Sequence, residues 1–338
     1  MTELSAEQTP IVRVFVPTYR RSRLLARALD SLRAQTMLRW VCDIHNDDPS
    51  DSGPQELVQH LDDPRIRLIV HQANLGATAT FNLFYRATAE PYYALLEDDN
   101  WWAPTFLEQM LKAMEQYPSV TLAWSNQCVW TEREDGTWED SGRCVNPRDD
   151  SASPRLVPWG DPRTALGAIH SHGSMLVRSR AGESFVTPPI PATGVEAFRE
   201  RLIAHPLLYV PEALAYFAVT RVTVRLGEQA SWMALQAGLL ISYAEKCCSN
   251  QADFEKLWRY YSVQRPAPAD IFLIAALWSK ECRRFLACLG IVDIVRSLAG
   301  MARHPIRSAR MFATMTTTRG WRDVLNDATA RRQLESVY

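Results

Sequence analysis

The feature that most constrains this chain is an alternation of apolar strand-like runs and amphipathic helical stretches across residues 11–96. Residues 11–17 (IVRVFVP) form a β-branched apolar run closed by Pro17, the pattern of a buried strand. Residues 22–35 repeat apolar side chains at Leu24, Leu25, Ala28, Leu29 and Leu32, one face of a helix. Further strands at 39–45, 66–71 and 92–96 are separated by helices at 54–61 and 76–87. That order predicts an α/β fold with a mainly parallel, Rossmann-like sheet covered by helices on both faces. A helix at 104–116 and a strand-like run at 120–130 follow, and the polar stretch 132–162 reads as a hairpin and a long loop. Beyond a Pro-rich stretch at 188–191 come a helix near 193–204 and strands within 207–219. From about 228 the pattern is helical, so an α/β domain over 1–225 and a helical C-terminal extension over 226–338 are expected.

Charge balance removes one class of function. Lys plus Arg number 37 against 38 for Asp plus Glu, which leaves no basic excess for general nucleic-acid binding. The seven cysteines show no CxxC spacing and read as reduced, small hydrophobes of a cytosolic protein. The N-terminus lacks the pattern of a signal peptide, and no apolar run reaches the ~18 residues of a membrane span. A cytoplasmic protein is expected. No GxGxxG follows the first strand, and there is no P-loop, HExxH or GxSxG.

Open α/β sheets bind ligands beyond the carboxyl ends of their strands. Three polar clusters fall there: Pro17-Thr18-Tyr19-Arg20, Asp47-Asp48-Pro49-Ser50 and Glu97-Asp98-Asp99-Asn100. Three successive carboxylates repel one another unless a cation sits among them. Hard divalent ions such as Mg²⁺ or Mn²⁺ take carboxylates together with substrate phosphates. A helix N-terminal acidic run accounts for the same residues, and this motif alone does not separate the two readings.

Four segments in order, VRVFVPTYRR, CDIHNDDPSD, NLGATATFN and LLEDDNWWAP, resemble the inverting family 2 glycosyltransferases of the GT-A fold. The resemblance covers the first 220 or so residues. It implies a UDP- or dTDP-sugar donor, a glycan or lipid-linked acceptor in surface polysaccharide or other glycan synthesis, and Mn²⁺ or Mg²⁺ as cofactor. Carried over by position, Pro17, Thr18 and Tyr19 would line the base pocket, with Tyr19 stacking on the base. Asp48 would accept from the base imide, and Asn74 belongs to the Asn-x-Gly segment. Asp98 would contact the ribose or diphosphate and share the metal with Asp99. Glu97 stands where the family usually has Asp. Glu196, in PATGVEAFRERL, falls at the general-base position, with Glu200 one helical turn on as the competing candidate. His172, sharing a strand face with His170, would hydrogen-bond a sugar hydroxyl or the diphosphate; a structural hydrogen-bonding role is the alternative. The other reading of the whole chain is a catalytically degenerate binding or assembly protein.

Residues 280–310 interleave seven basic residues with apolar ones against only Glu281 and Asp293. Three uses are open: an apolar stripe packed on the catalytic domain with its arginines solvated, peripheral membrane contact, or a homodimer. The first is the ordinary case.

Overall fold

The computed structural model describes residues 9–149, 153–187, 190, 194–221, 229–264 and 266–317. The boundary expected near 225, and most of the Pro-rich stretch at 188–191, lie outside them. The chain forms two compact units. The first holds residues up to Val157, His170–Val186 and the segment from Ile203; the second holds Pro158–Ile169, Thr187–Leu202 and the chain from Leu226 on.

In the first unit the alternation appears as β1 (Val12–Thr18), α1 (Ser22–Arg33), β2 (Trp40–Asn46), α2 (Gly53–Leu61), β3 (Ile66–Val70), α3 (Ala77–Asn82) and β4 (Tyr92–Leu95). Then come β5 (Trp101–Trp102), α4 (Phe106–Gln116), β6 (Leu122–Glu132), β7 (Trp138–Cys144), β8 (Arg155–Val157), β9 (Met175–Arg178) and β10 (Leu207–Val219). The sheet runs β3-β2-β1-β4-β9-β6-β10-β5, with β7 on β6 and β8 on β10. Strands β3, β2, β1 and β4 are parallel. The other half is mixed, because β9 runs antiparallel to both β4 and β6. This is the α/β sheet of the GT-A fold, followed by helices at the C-terminus.

Register explains why the polar clusters converge. Thr18 lies opposite Asn46, and Phe15 opposite Leu95, so the three strands end at one edge of the sheet. Burial fixes that register: Val12, Val14 and Val16 are fully buried, and α1 lays fully buried Leu25, Leu29 and Leu32 into the same core. Truncating such a leucine to alanine costs about 2–5 kcal/mol.

Three expectations shift. Helix α3 stops at Asn82 rather than 87, because the following chain turns to bridge Arg86 with Ser184. Residues 207–219 form a single strand, with the register slipping after Val210, where Pro211 has no N–H for the ladder. The cysteines are not all reduced: β6 and β7 bring Cys128 and Cys144 into register, and a disulfide joins them. Cys42, Cys247, Cys248, Cys282 and Cys288 are not in a disulfide.

The second unit contains α5 (Val195–Leu202), α6 (Gln229–Cys247), α7 (Gln251–Ser262), α8 (Ala269–Trp278), α9 (Ile291–Arg303) and α10 (Pro305–Thr317). Its core gathers Phe254, Leu257, Phe272, Phe285 and the inner face of α6. Among the described residues no helix is long and apolar enough to cross a membrane.

Candidate functional site

A cavity of about 400 Å³ opens at the carboxyl edge of the parallel strands, within the size range of small-molecule sites. Pro17, Thr18, Tyr19 and Arg21 line it from the end of β1, Asp47 from the end of β2, Asn74, Gly76 and Phe81 from the approach to α3, and Glu97, Asp98 and Asp99 from beyond β4.

The acidic pair carries the strongest electrostatics. Asp98 is buried, and its carboxylate accepts from the Thr18 hydroxyl at 2.9 Å and from Arg21 Nη1 at 3.3 Å. Desolvation, reinforced by the neighbouring Asp99 charge, pushes its pKa up to about 7, against the opposing pull of Arg21 and Thr18. Arg21 Nη1 also reaches Asp99 at 3.0 Å, so one guanidinium holds both carboxylates. This is a pair that needs positive charge. Among the described residues no three His, Cys, Asp or Glu side chains are grouped to hold a metal. Two carboxylates facing a cavity still fit Mg²⁺ or Mn²⁺, which take one or two protein carboxylates and complete their shell with substrate phosphates and water.

The loop that carries the pair is braced from α1. Arg27 Nη2 donates to the Asp99 carbonyl at 2.6 Å. Its Cζ lies 3.9 Å from the Trp101 ring centre and 3.7 Å from that of Trp138. Burial is the main cause lowering its pKa to about 10. Glu97, also on the lining, accepts from Asn100 Nδ2 at 2.6 Å, while Asn100 Oδ1 accepts from the Ala218 N–H. Gly173 lies close over this pair: a Cβ there would fall 2.9 Å from Glu97 Oε2 and 3.0 Å from Asn100 Nδ2.

The candidates divide by placement. The cavity brings together Pro17, Thr18, Tyr19, Asn74, Asp98 and Asp99. Tyr19 is 42% exposed, and Arg20, at φ 55°, covers one side of its ring. Asp48 is turned away from the cavity. It accepts from Arg20 Nε at 2.5 Å and from the Ser50 hydroxyl and N–H at 2.6 and 2.9 Å, bonds that lower its pKa to about 2. Its neighbour Asp47 faces the cavity loop instead, accepting from the N–H groups of Leu75 and Gly76 at 2.8 and 3.0 Å. Gly76 itself has φ +78°, a conformation glycine adopts without strain.

His172 is buried in a 3₁₀ turn (His172–Ser174) before β9, not on the strand where it was expected. Its ring packs on Phe81 and Tyr85, with centroids 5.1 and 5.5 Å away, so Phe81 separates it from the lining. In the second unit, Glu196 is half-buried in the first turn of α5. Glu200 is fully buried and accepts from the Ile169 N–H at 2.8 Å. Arg21, Arg27 and Asp47 were not singled out from sequence. The run Arg20-Arg21-Arg23 ending one strand opposite two acidic loops was the available signal for Arg21.

Residues 13–145 match the family model described as Glycosyl transferase family 2. WcaA of Escherichia coli K12, named for colanic acid biosynthesis, is 30% identical over 125 residues, 36% of this chain and 44% of that protein. The UDP-Glc:alpha-D-GlcNAc-diphosphoundecaprenol beta-1,3-glucosyltransferase WfgD of E. coli is 24% identical over 104 residues, 31% of this chain and 41% of that one. The chain thus spans less than half the length of either relative. Among solved structures, S. aureus TarS 1–349 in complex with UDP-GlcNAc superposes with a TM-score of 0.57 over 94% of this chain and 91% of that one, at 11% identity. Its complex with UDP gives 0.53 with the same coverage and identity. Residues 13–145 are a glycosyl transferase family 2 domain, on a chain with the GT-A fold.

Proposed function

We propose that this chain is an inverting glycosyltransferase. It would move a sugar from a UDP- or dTDP-sugar to a hydroxyl of a glycan or lipid-linked acceptor, in surface polysaccharide or other glycan synthesis, with Mn²⁺ or Mg²⁺. The observation that carries this reading is the cavity in which Thr18, Tyr19, Asp98 and Asp99 meet within the family 2 domain. The UDP and UDP-GlcNAc of the TarS complexes and the UDP-glucose of the WfgD name support a uridine donor. Tyr19 offers a half-open aromatic face to the base. Asp99 and Asp98 would hold the cation, which supplies Lewis-acid stabilisation to a diphosphate leaving group. Arg21, already bridging the two acids, adds a second positive charge at the place where that leaving group becomes more negative.

Glu196 is proposed as the base on its place in the sequence, and its partial exposure supports it over the buried Glu200. The proposed compartment is the cytoplasm, where the Cys128–Cys144 link would respond to redox conditions rather than stay permanently closed.

The test is transfer of labelled sugar from a panel of UDP- and dTDP-sugars to glycan and lipid-linked acceptors. Wild type is expected to give a product of inverted anomeric configuration, and Glu196→Gln to lower turnover about 10²–10⁴-fold while keeping donor affinity. Donor binding with no transfer or hydrolysis under any condition would instead establish the non-catalytic binding protein.

A further inference from the structure

Helix α9 turns its apolar side outward. At 100° per residue, Ile291, Val295, Leu298 and Ala302 form one stripe, and the three large side chains are 73, 58 and 46% exposed. Val292 beside them is 63% exposed, and Ile306 at the start of α10 is 72% exposed. The adjoining side of α9 packs inward through Ser297, Ile294 and Met301. The ordinary expectation, an apolar stripe packed inward with the arginines solvated, therefore holds for Phe285, Leu289, Ile294 and Met301, and Ile291, Val295 and Leu298 form a second apolar strip that stays outside. An exposed apolar patch of this kind marks a surface that meets something.

Charge identifies what. Arg296, 3.9 Å from Asp293, and Arg303 are exposed on the flank of α9 that carries Val292, and Arg303, His304, Arg307 and Arg310 line a groove of about 550 Å³. Residues 280–310 carry seven Lys or Arg against one Glu and one Asp, a net of +5. A second copy meeting this face would bring like charge against like charge. The chain's own last residues, 318–338, carry four Arg against two Asp and one Glu, so they offer no acidic complement. A bilayer containing anionic lipid offers both parts: acyl chains for the apolar stripe and headgroup phosphates for the guanidinium groups. We infer that the outward face of α9, with the basic groove at the start of α10, docks this protein on an anionic membrane surface. This conclusion is independent of the donor site.

The experiment is flotation of the full chain with vesicles of phosphatidylcholine, with and without phosphatidylglycerol. Wild type is expected to float with the anionic vesicles, to stay behind with phosphatidylcholine alone, and to be released by salt. Val295→Asp/Leu298→Asp and Arg296→Glu/Arg303→Glu should each weaken anionic-vesicle binding by about tenfold or more. Both pairs are exposed, so unchanged thermal unfolding certifies the fold of each variant. Wild type failing to float with anionic vesicles, or the aspartate variant floating as wild type does, overturns the proposal. A wild-type dimer that Val295→Asp/Leu298→Asp converts to monomer assigns the face to a second copy and overturns it as well.

Discussion

Arg27 donates from Nη2 to the carbonyl oxygen of Asp99 over 2.6 Å, and its guanidinium packs on the rings of both Trp101 and Trp138. A helix on one side of the sheet thereby sets the backbone of the acidic loop. The planar guanidinium suits both tasks: it sits in the corner where two indoles meet at 68° and still directs an N–H along its edge. Arg27→Lys keeps the charge and loses the stack, whereas Arg27→Ala loses both. Removing a charge-assisted bond of this kind costs about 1.5–3 kcal/mol. UDP affinity is expected to fall about tenfold or more in Arg27→Ala and less in Arg27→Lys. Calorimetric titration well below each variant's unfolding midpoint checks this.

Arg21 is the cation that Asp98 and Asp99 share. Without it, the raised pKa of Asp98 moves further up, because burial and Asp99 favour the neutral acid and only the Thr18 hydrogen bond is left to oppose them. Arg21→Ala should therefore lose roughly tenfold in metal-free UDP affinity and recover most of it on adding Mn²⁺. UDP titrations with and without the metal read this out directly.

Gly173 is a close-approach glycine whose missing Cβ leaves room for Glu97 and Asn100. Trp102 Nε1 also donates to its carbonyl at 2.7 Å, fixing the turn from the other side. Gly173→Ala must displace either the turn or the Glu97–Asn100 pair. A loss of about 1–3 kcal/mol is expected, the usual range for overpacking. Urea unfolding measures it, and Ser174→Ala in the same turn serves as the comparison.

His45 stacks on His71, with Nδ1 and Nε2 3.1 Å apart. Burial, and next the neighbouring imidazole, lowers the His45 pKa to about 4. The unfolded chain then binds a proton that the folded chain refuses between that value and the ordinary ~6.5. Stability at neutral pH is therefore lost as pH falls from about 6.5 towards 4. His45→Phe should flatten this acid limb, as followed by thermal unfolding across that window.

Sequence pattern is decisive where one physical signal dominates. Strands β1 and β4 are apolar runs such as IVRVFVP because central parallel strands are buried on both faces, and their ends had to converge once the strands were parallel. It stopped short where a choice depends on local geometry. Asp47 and Asp48 differ by one position, and which one faces the cavity is decided by a turn in which the Asn46 side chain accepts from the Asp48 N–H. Arg21 reaches partners 77 and 78 residues away, which no local pattern encodes. Cys128 and Cys144 meet only through the register of a hairpin. Periodicity in α9 revealed a stripe but not the direction it would face.

The cavity at Asp98 and Asp99 is proposed to bind a nucleoside diphosphate through a divalent cation. Titrating UDP and dTDP into the protein, with and without Mn²⁺, for wild type and Asp99→Ala, tests it most directly. Metal-dependent binding of at least one nucleotide to wild type, and its loss in Asp99→Ala, are expected. Failure of both nucleotides to bind folded wild-type protein in the presence of Mn²⁺ would contradict it.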